Sequence, residues 1–261
     1  MQNKGEITAA ITNNQDPIVE CKNVTKQFNN FSVIQEINLQ IFPGEKVALV
    51  GSSGAGKSTL ISLFNGTIRP TYGQIWVLGR NLAQLKPQSV RQLQRQIGTI
   101  YQQFHLVNNL QVIHNVNAGH LGRWSFLQAA FSLIFPLDVK TAVEALRRVG
   151  IAEKLYQRCD RLSGGQQQRV AIARVLVQDP VVILADEPIA SLDPELSREI
   201  MQLLGQMCEE LGKTLVVSLH DFEMARRYCG RIVGLREGRV LFDCAAEAVT
   251  LEMVDELYKR E

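Results

Sequence analysis

The chain has 261 residues, which is enough for one large domain or for a domain with a subdomain. Its hydrophobic content of 46% and charged content of 21% are those of a globular protein, and its net charge of +2 is too small to indicate binding to nucleic acid or to a membrane surface. The five cysteines are scattered without a C-x-x-C pair, which predicts reduced thiols rather than a disulfide framework or a zinc site.

The N-terminal residues 1–16 are polar and lack an apolar core, so we interpret them as a flexible lead-in and not as a secretory signal. No segment approaches the roughly 18 uninterrupted apolar residues of a membrane span. The most apolar segment, Trp124–Pro136, is too short and contains polar residues. We therefore expect any membrane role to depend on a partner.

Short β-rich runs separated by turn signals occupy the chain from Ile18 to about Gly79. One helix interrupts this series after the third run and is predicted to include Leu60–Phe64. The four runs are Ile18–Val24, Ile37–Phe42, Val47–Val50 and Ile75–Leu78.

A phosphate-binding pattern, G-x-x-x-x-G-K-[ST], lies between the third run and that helix. Its glycines allow the backbone to approach a ligand closely, and the N–H groups of the loop and of the helix N-terminus point at one anionic position. Lys57 can reach the β- and γ-phosphates of a nucleoside triphosphate, and the Ser58 hydroxyl can ligate Mg²⁺. The predicted nucleotide contacts are Gly51, Ser52, Ser53, Gly54, Ala55, Gly56, Lys57, Ser58 and Thr59.

The pattern becomes helical and irregular between Val107 and Asp160. Within it, Thr141–Val149 has its apolar residues on one helical face and is followed by Gly150, which predicts a helix with a glycine cap. This region is predicted to be a helical insertion.

Two near-continuous apolar runs follow, Val181–Ala185 and Thr214–Ser218. Such runs are typical of strands that are covered on both faces of a parallel sheet. The amphipathic segment Glu195–Leu211 between them predicts the crossover helix. Alternating strands and helices indicate an α/β core.

A second glycine-containing motif opens a helix at Leu162–Arg169. Ser163 is a good N-cap, and Gly164 and Gly165 leave the first N–H groups of the helix open. These residues predict either a second anion site or a plain helix cap.

Two carboxylates, Asp186 and Glu187, end the first of the two buried runs. The carboxyl end of a strand is the edge at which α/β sheets bind ligands. We predict that Asp186 holds Mg²⁺, directly or through water, and that Glu187 polarises an attacking water molecule.

Together these motifs resemble the ATP-binding subunits of ABC transporters over nearly the whole chain, from about Ile18 to Phe242. Leu162–Arg169 is the signature sequence of that family and separates it from other P-loop proteins. The resemblance implies a P-loop α/β core with an N-terminal antiparallel β-subdomain and an inserted α-helical subdomain at about 107–178. The implied boundaries are a lead-in at 1–16, an ATPase domain at 17–245 and a C-terminal helix at 246–261.

The remaining family elements occur in the expected order. Gln102 matches the Q-loop glutamine, which contacts Mg²⁺ and the partner subunit, and His220 matches the switch histidine at the γ-phosphate. Asp193 matches the D-loop aspartate. Phe28 matches the aromatic residue that stacks on adenine, although many relatives carry tyrosine there and a place in the core is the alternative for this side chain.

The resemblance also implies how the parts act. Two copies pair head to tail around two ATP molecules with Mg²⁺, so that the P-loop of one copy faces the signature of the other. The signature residues that would cover the γ-phosphate bound to the second copy are Ser163, Gly164, Gly165 and Gln166.

The implied partners are transmembrane permease subunits and a periplasmic or lipoprotein substrate-binding protein that acts through them, with no nucleic acid. The implied location is the cytoplasmic face of the inner membrane, as a peripheral subunit. The permease should dock on the segment from Gln102 to about Pro136. The apolar run Trp124–Phe135 within it is either part of that interface or buried inside the helical insertion.

Within the family, the chain is most similar to phosphonate-importer ATPases. The segments that carry this resemblance include Leu121–Ser125, Ala185–Pro194 and Ala225–Cys229 with Arg231–Arg236. His220-Asp221-Phe222 departs from the His-Gln-Val expected in those relatives, which leaves hydrolysis unaffected but keeps phosphite, phosphate or another oxyanion open as the substrate.

Three other classes share parts of this pattern. An importer for another solute, such as a polar amino acid, and the ATPase of an export or lipoprotein-release system would keep every catalytic residue. A non-transport ABC ATPase of DNA repair or translation would carry a long insertion, a zinc pattern or a second cassette, none of which this sequence has.

Overall fold

The computed structural model describes residues 16–29 and 31–259, in which two β-sheets are surrounded by helices. The lead-in predicted at 1–16 lies almost entirely outside the described residues. The strands are β1 (Val19–Phe28), β2 (Phe31–Ile41), β3 (Lys46–Val50), β4 (Tyr72–Val77), β5 (Arg80–Asn81), β6 (Ile97–Ile100), β7 (Val182–Asp186), β8 (Thr214–Leu219), β9 (Arg231–Arg236) and β10 (Arg239–Ala245).

The helices cover both faces of the larger sheet. Four of them, α3 to α6, follow one another in the part of the chain between β6 and β7. They are α1 (Lys57–Phe64), α2 (Pro87–Gln94), α3 (Val112–Asn117), α4 (Phe126–Ser132), α5 (Val139–Arg148), α6 (Gly164–Gln178), α7 (Pro194–Leu211), α8 (Phe222–Tyr228) and α9 (Leu251–Tyr258). Among the described residues, none of these helices is both long enough and apolar enough to cross a bilayer.

The smaller sheet is antiparallel and has the strand order β2-β1-β4-β5. The central strand β1 aligns Val19 with Ile41 of β2 on one side and with Val77 of β4 on the other. These three side chains are almost fully buried. Their apolar faces therefore turn towards the rest of the protein, which fixes the register of the sheet.

The larger sheet has the order β10-β9-β3-β8-β7-β6, and its strands are parallel except for the edge strand β10. All six residues of β8 are buried, as expected for a strand that is covered on both faces. The register aligns Val50 with Leu219, Asp186 with Ser218 and Ile100 with Ala185. The carboxyl ends of β3, β6, β7 and β8 therefore lie along one edge of the sheet.

Side chains that alternate along the larger sheet belong to two separate cores. In β3, Ala48 and Val50 join a core with the helices of the insertion and with α7, while Val47 and Leu49 join a core with α1 and the antiparallel sheet. The larger sheet is thus the middle layer of the molecule, and its carboxyl edge lies between the two cores.

The predicted strands and helices agree with the structure, which is α/β as expected, but several of their ends differ. β1 continues to Phe28, and α5 begins at Val139 and ends at Arg148. Gly150 lies two residues beyond that end with a φ of +73°, a left-handed conformation that favours glycine. The short strand β6 and the hairpin β9–β10 were not predicted individually, because their patterns are short or broken by charged residues.

Candidate functional site

Four chain segments meet at the carboxyl edge of the larger sheet. The P-loop follows β3, Gln102 follows β6, Asp186 and Glu187 end β7, and His220 follows β8. Because the strands are parallel and in register, residues distant in sequence are placed beside one another. This edge is the candidate active site.

The P-loop connects β3 to α1 through close backbone contacts that require glycine. A Cβ added at Gly51 would lie 2.2 Å from the carbonyl oxygen of Leu235. One added at Gly56, whose φ is +102°, would lie 3.0 Å from the carbonyl oxygen of Val33. Gly56 is also the N-cap of α1, so the N-terminus of that helix opens directly onto the loop.

The Lys57 side chain lies inside the P-loop and is only 4% exposed. Its Nζ donates to the carbonyl oxygens of Gly51 at 2.8 Å and of Ser52 at 3.0 Å. Burial lowers the pKa of this ammonium group, and the nearby charges of Glu187 and Asp186 oppose that effect. A positive group held at the loop by fixed carbonyls is well placed to contact a phosphate.

Asp186 lies between two hydroxyl groups. The Ser58 hydroxyl donates to its Oδ1 at 3.0 Å, and the Ser218 hydroxyl donates to the same oxygen at 2.7 Å. Ser58 is exposed and Asp186 is half-buried, so the first of these contacts faces the outside of the edge.

Mg²⁺ fits this pair of oxygen donors. It is commonly held by one or two protein oxygens together with phosphate oxygens and water, and not by a complete protein cage. The described residues contain no group of three or more His, Cys, Asp or Glu side chains that could hold a metal ion. The Ser58 hydroxyl and the Asp186 carboxylate are therefore suitable ligands.

Glu187 and His220 contact each other directly. Nε2 of His220 lies 2.5 Å from Oε1 of Glu187, and Nδ1 of His220 lies 3.4 Å from Nζ of Lys57. The tautomer with its proton on Nε2 satisfies both contacts, because Nε2 then donates to the carboxylate and Nδ1 accepts from the ammonium group. The structure thus places Lys57, His220 and Glu187 in one row.

Glu187 has a φ of +47°, which is uncommon for a residue with a side chain. Its backbone N–H donates to the Ser218 hydroxyl at 2.8 Å, and its side chain is 15% exposed. Such a conformation persists only where surrounding contacts hold it, and it is found preferentially at active sites.

Gln102 is exposed and lies beyond the end of β6, on the same edge as Asp186. The turn that contains it is fixed from inside by Arg174, whose guanidinium donates to the carbonyl oxygens of Phe104 and His105. Both of these residues have positive φ angles, and the ring of His105 stacks on Tyr101 at 4.4 Å.

The signature residues lie at the N-terminus of α6, which packs on α3, α5 and β6. Ser163 and Gln166 form a capping box, in which each side chain accepts a hydrogen bond from the backbone N–H of the other. Ser163 and Gly164 are exposed, while Gly165 is buried. In the described part of the chain, no hydrogen bond joins this motif to the P-loop of the same copy.

Asp193 and Phe28 are both exposed, each at the end of an element. Asp193 caps α7, and its Oδ1 accepts from the backbone N–H groups of Glu195 and Leu196. Phe28 is 45% exposed at the end of β1, with Nζ of Lys26 lying 4.8 Å from the centre of its ring. The alternative interpretation of Phe28 as a core residue is therefore wrong.

Two residues at this edge were missed by the sequence analysis. Ser218 is fully buried and contacts both Asp186 and Glu187. Tyr258 of α9 donates its hydroxyl proton to the carbonyl oxygen of His220 at 2.9 Å. A serine in the apolar run of β8 is a detectable signal, since a buried hydroxyl needs a partner. No pattern in the sequence points to Tyr258.

The cysteine thiols lie apart from this edge and are all free. Burial raises the pKa of Cys159 to about 11 and the pKa values of Cys208 and Cys229 to about 12. These thiols are therefore neutral and weakly nucleophilic near neutral pH.

The apolar segment that begins at Trp124 is exposed, not buried. We call α4 and the turn after it, residues 126–135, the apolar patch. Its most exposed side chains are Phe126 at 85% and Leu127 at 78%. The other exposed members are Phe131, Leu133, Ile134 and Phe135. Burial within the helical insertion, one of the two alternatives for this segment, is therefore wrong.

Comparison with known proteins gives consistent matches. A family model described as "ABC transporter" matches residues 34–190. The "Phosphonates import ATP-binding protein PhnC" of Lactobacillus delbrueckii subsp. bulgaricus is 44% identical over 93% of this chain and 95% of its own length. "Phosphonates import ATP-binding protein PhnC 1" of Nostoc sp. is 46% identical over 92% of this chain and 91% of its own length.

Two solved structures share the fold. The ATP-binding cassette MJ0796, in a dimeric post-hydrolysis state bound to ADP and Pi, superimposes with a TM-score of 0.76 at 34% identity, covering 88% of this chain and 100% of that one. The protein cbiO1 from Clostridium perfringens, described as part of the ABC transporter complex cbiONQ, gives a TM-score of 0.78 at 31% identity over 93% of this chain and 94% of that one.

Proposed function

The chain belongs to the ABC transporter family of ATP-binding proteins, and on that premise we propose that it is the ATP-hydrolysing subunit of an importer for phosphonate or a related oxyanion such as phosphite or phosphate. The observation that carries the proposal is the convergence of Lys57, Ser58, Asp186, Glu187 and His220 at one sheet edge. This set contains the groups needed to bind a triphosphate and to activate water.

In this proposal the two sides of the site have different tasks. Lys57 and the N–H groups of the P-loop neutralise the β- and γ-phosphates, and Ser58 with Asp186 would hold Mg²⁺. The bound ion would supply charge neutralisation to the phosphate oxygens. Gln102 extends from the same edge and would complete the ion's surroundings.

Glu187 orients the attacking water and accepts its proton, which requires that its carboxylate turn from His220 towards the nucleotide. His220, freed from that contact, donates a hydrogen bond to the γ-phosphate. Phe28 provides an exposed aromatic face for adenine. Because the transferred phosphoryl group needs little covalent chemistry from the protein, positioning by these side chains accounts for most of the rate.

We further propose that the active form is a homodimer. Among the described residues no hydrogen bond joins the signature motif to its own P-loop, and the exposed residues Ser163 and Gly164 remain available to a second copy. The Ser163 hydroxyl accepts one hydrogen bond within the capping box and keeps its own proton to donate. Asp193, exposed at the start of α7, would lie in the same interface. The dimeric form of MJ0796 supports this arrangement.

The proposed setting is the cytoplasmic face of the inner membrane, with the chain as a peripheral subunit. Its partners would be transmembrane permease subunits and a periplasmic or lipoprotein receptor that supplies the solute. Support for phosphonate comes from relatives named for phosphonate import, at 44–46% identity over nearly their whole length.

A transport assay tests the substrate class. Cells that lack this protein are expected to lose growth on a phosphonate as the only phosphorus source and to regain it with the wild-type chain but not with the Glu187→Gln variant. Parallel cultures on phosphite, on phosphate and on a polar amino acid separate the alternatives. Growth on phosphonate without the protein would contradict the proposal.

The permease is proposed to dock on the apolar patch and on the cavity beside it. This cavity, of about 300 Å³, is lined by Arg91, Arg95 and Arg123 and reaches Leu121, just before the patch. Among the described residues none of the three guanidinium groups has a carboxylate within 4.0 Å, and no acidic side chain lines the cavity. A permease segment that carries an acidic residue beside apolar ones would complement both parts.

Removing the two most exposed side chains of the patch tests this surface. The double variant Phe126→Ser, Leu127→Ser is expected to keep the basal ATPase rate and thermal stability of the isolated chain, because neither side chain packs in a core. Co-purification with the permease should fall about tenfold or more, since each lost apolar contact contributes roughly 1.5 kcal/mol or more to binding.

The matched control is Leu251→Ser on α9. Leu251 is 78% exposed, like Leu127, but lies outside the apolar patch. Equal recovery of permease with the double variant and with this control would overturn the docking proposal. Loss of self-association or of vesicle binding by the double variant, with permease recovery intact, would assign the patch to a second copy or to lipid instead.

A further inference from the structure

We propose that Ser218 is a positioning residue that fixes both Asp186 and Glu187 through a single hydroxyl group. This inference rests on the proposed function, because it concerns the residues assigned there to Mg²⁺ and to water activation. Ser218 itself is fully buried, and its two side-chain hydrogen bonds among the described residues are to Asp186 and to the backbone of Glu187.

The Ser218 hydroxyl acts as a donor to one site residue and as an acceptor from the other. The proton is donated to Oδ1 of Asp186 at 2.7 Å, and a lone pair accepts the backbone N–H of Glu187 at 2.8 Å. A serine hydroxyl has only one proton to donate, so this pair of contacts determines its orientation. An ionised carboxylate can only accept and a backbone N–H can only donate, so the hydroxyl proton must point towards Asp186 and a lone pair towards Glu187.

The strand register explains why position 218 can do this. Ser218 is the direct partner of Asp186 in the parallel pair β7–β8, so their side chains extend to the same face of the sheet. All other residues of β8 from Leu215 to Leu219 are apolar and buried. The hydroxyl is therefore an isolated polar group whose partners are the two site residues.

Each contact constrains a different property of the site. The bond to Asp186 orients the carboxylate oxygen that also accepts from Ser58, and so sets the oxygen pair suited to Mg²⁺. The bond to the Glu187 N–H supports a backbone with a φ of +47°, which directs that side chain towards His220 and Lys57. Loss of the Ser218 hydroxyl would therefore free both the orientation of the Asp186 carboxylate and the backbone conformation of Glu187.

The test compares Ser218→Ala with Ser218→Thr, which restores the hydroxyl. Ser218→Ala is expected to lower kcat for ATP about 10- to 100-fold, the effect of losing a hydrogen bond to a charged group at the reacting edge. KM for ATP should change less than about threefold, because the P-loop contacts remain. Ser218→Thr is expected to recover most of the kcat.

A binding measurement separates positioning from general structural damage. The affinity of a fluorescent ATP analogue is measured with Mg²⁺ and with a chelator. In the wild type Mg²⁺ should strengthen binding, and in Ser218→Ala this gain should be reduced. Thr214→Val provides the control, because Thr214 is a buried hydroxyl at the opposite end of β8 that accepts from the N–H of Gly44, remote from the site.

A folded Ser218→Ala variant with wild-type kcat and an unchanged response to Mg²⁺ would overturn the inference. So would equal losses of kcat in Ser218→Ala and Thr214→Val, since that result would indicate a stability effect alone. Wild-type protein that hydrolyses no ATP would instead refute the proposed function. The two failures are therefore distinguishable in the same set of assays.

Discussion

Glu187→Gln is expected to lower ATP turnover about 100- to 10,000-fold, the usual contribution of a well-placed general base. Glutamine has nearly the same size and retains an oxygen towards His220, but it cannot accept a proton from water. Nucleotide binding should persist, because Lys57 and the P-loop are unchanged. The variant should therefore accumulate as an ATP-bound dimer, which size-exclusion chromatography with ATP and Mg²⁺ would detect.

The appropriate control is Glu247→Gln, which removes an exposed carboxylate outside the site and should leave turnover unchanged. Near-normal turnover by Glu187→Gln would remove Glu187 from the mechanism. Loss of ATP binding in that variant would be equally informative, since it would show that the carboxylate shapes the nucleotide site and does not serve mainly as a base.

Lys57→Ala is expected to weaken ATP binding about 10- to 100-fold, since a hydrogen bond to a charged group contributes roughly 1.5–3 kcal/mol. The physical reason is the position of its ammonium group. Nζ is held inside the loop by the carbonyl oxygens of Gly51 and Ser52, so the contact to a phosphate costs little rearrangement. Equilibrium titration with a fluorescent ATP analogue measures the change directly.

Two further variants decide whether charge or geometry matters at this position. Lys140→Ala removes an exposed lysine of α5 and should bind ATP like the wild type. Lys57→Arg keeps the charge. Because Lys57 is only 4% exposed, its buried site fits an ammonium group and not a planar guanidinium, so this variant should also bind ATP weakly. Unchanged ATP affinity in Lys57→Ala would contradict the proposed role.

The P-loop could be predicted from the sequence because its glycines, lysine and serine follow one another at a fixed spacing in the chain. Gly51 and Gly56 have positive φ angles, and Lys57 follows directly at the start of α1. The same holds for the capping box of Ser163 and Gln166, whose partners are three residues apart. Local patterns of this kind specify backbone shape without knowledge of the rest of the fold.

The apolar patch shows the limit of such patterns. A run that includes Phe126, Phe131 and Phe135 is compatible with burial or with an interface, and only its position in the fold decides between them. Here the apolar side chains of α4 and of the following turn remain exposed in the part of the chain that the structure describes. The hydrophobicity of a side chain indicates that it tends to be buried, but it does not indicate whether the same chain or a partner will cover it.

Patterns in the sequence were sufficient to predict the class of fold, the P-loop motif, the signature motif and a set of candidate residues for an ATP site. The tertiary structure alone decided which of them touch: His220 with Glu187 and Lys57, Ser218 with Asp186, and Tyr258 with the carbonyl of His220. These contacts join residues up to 163 positions apart. They depend on strand order and register, which are set by the packing of two cores against one sheet and are not encoded in any local pattern.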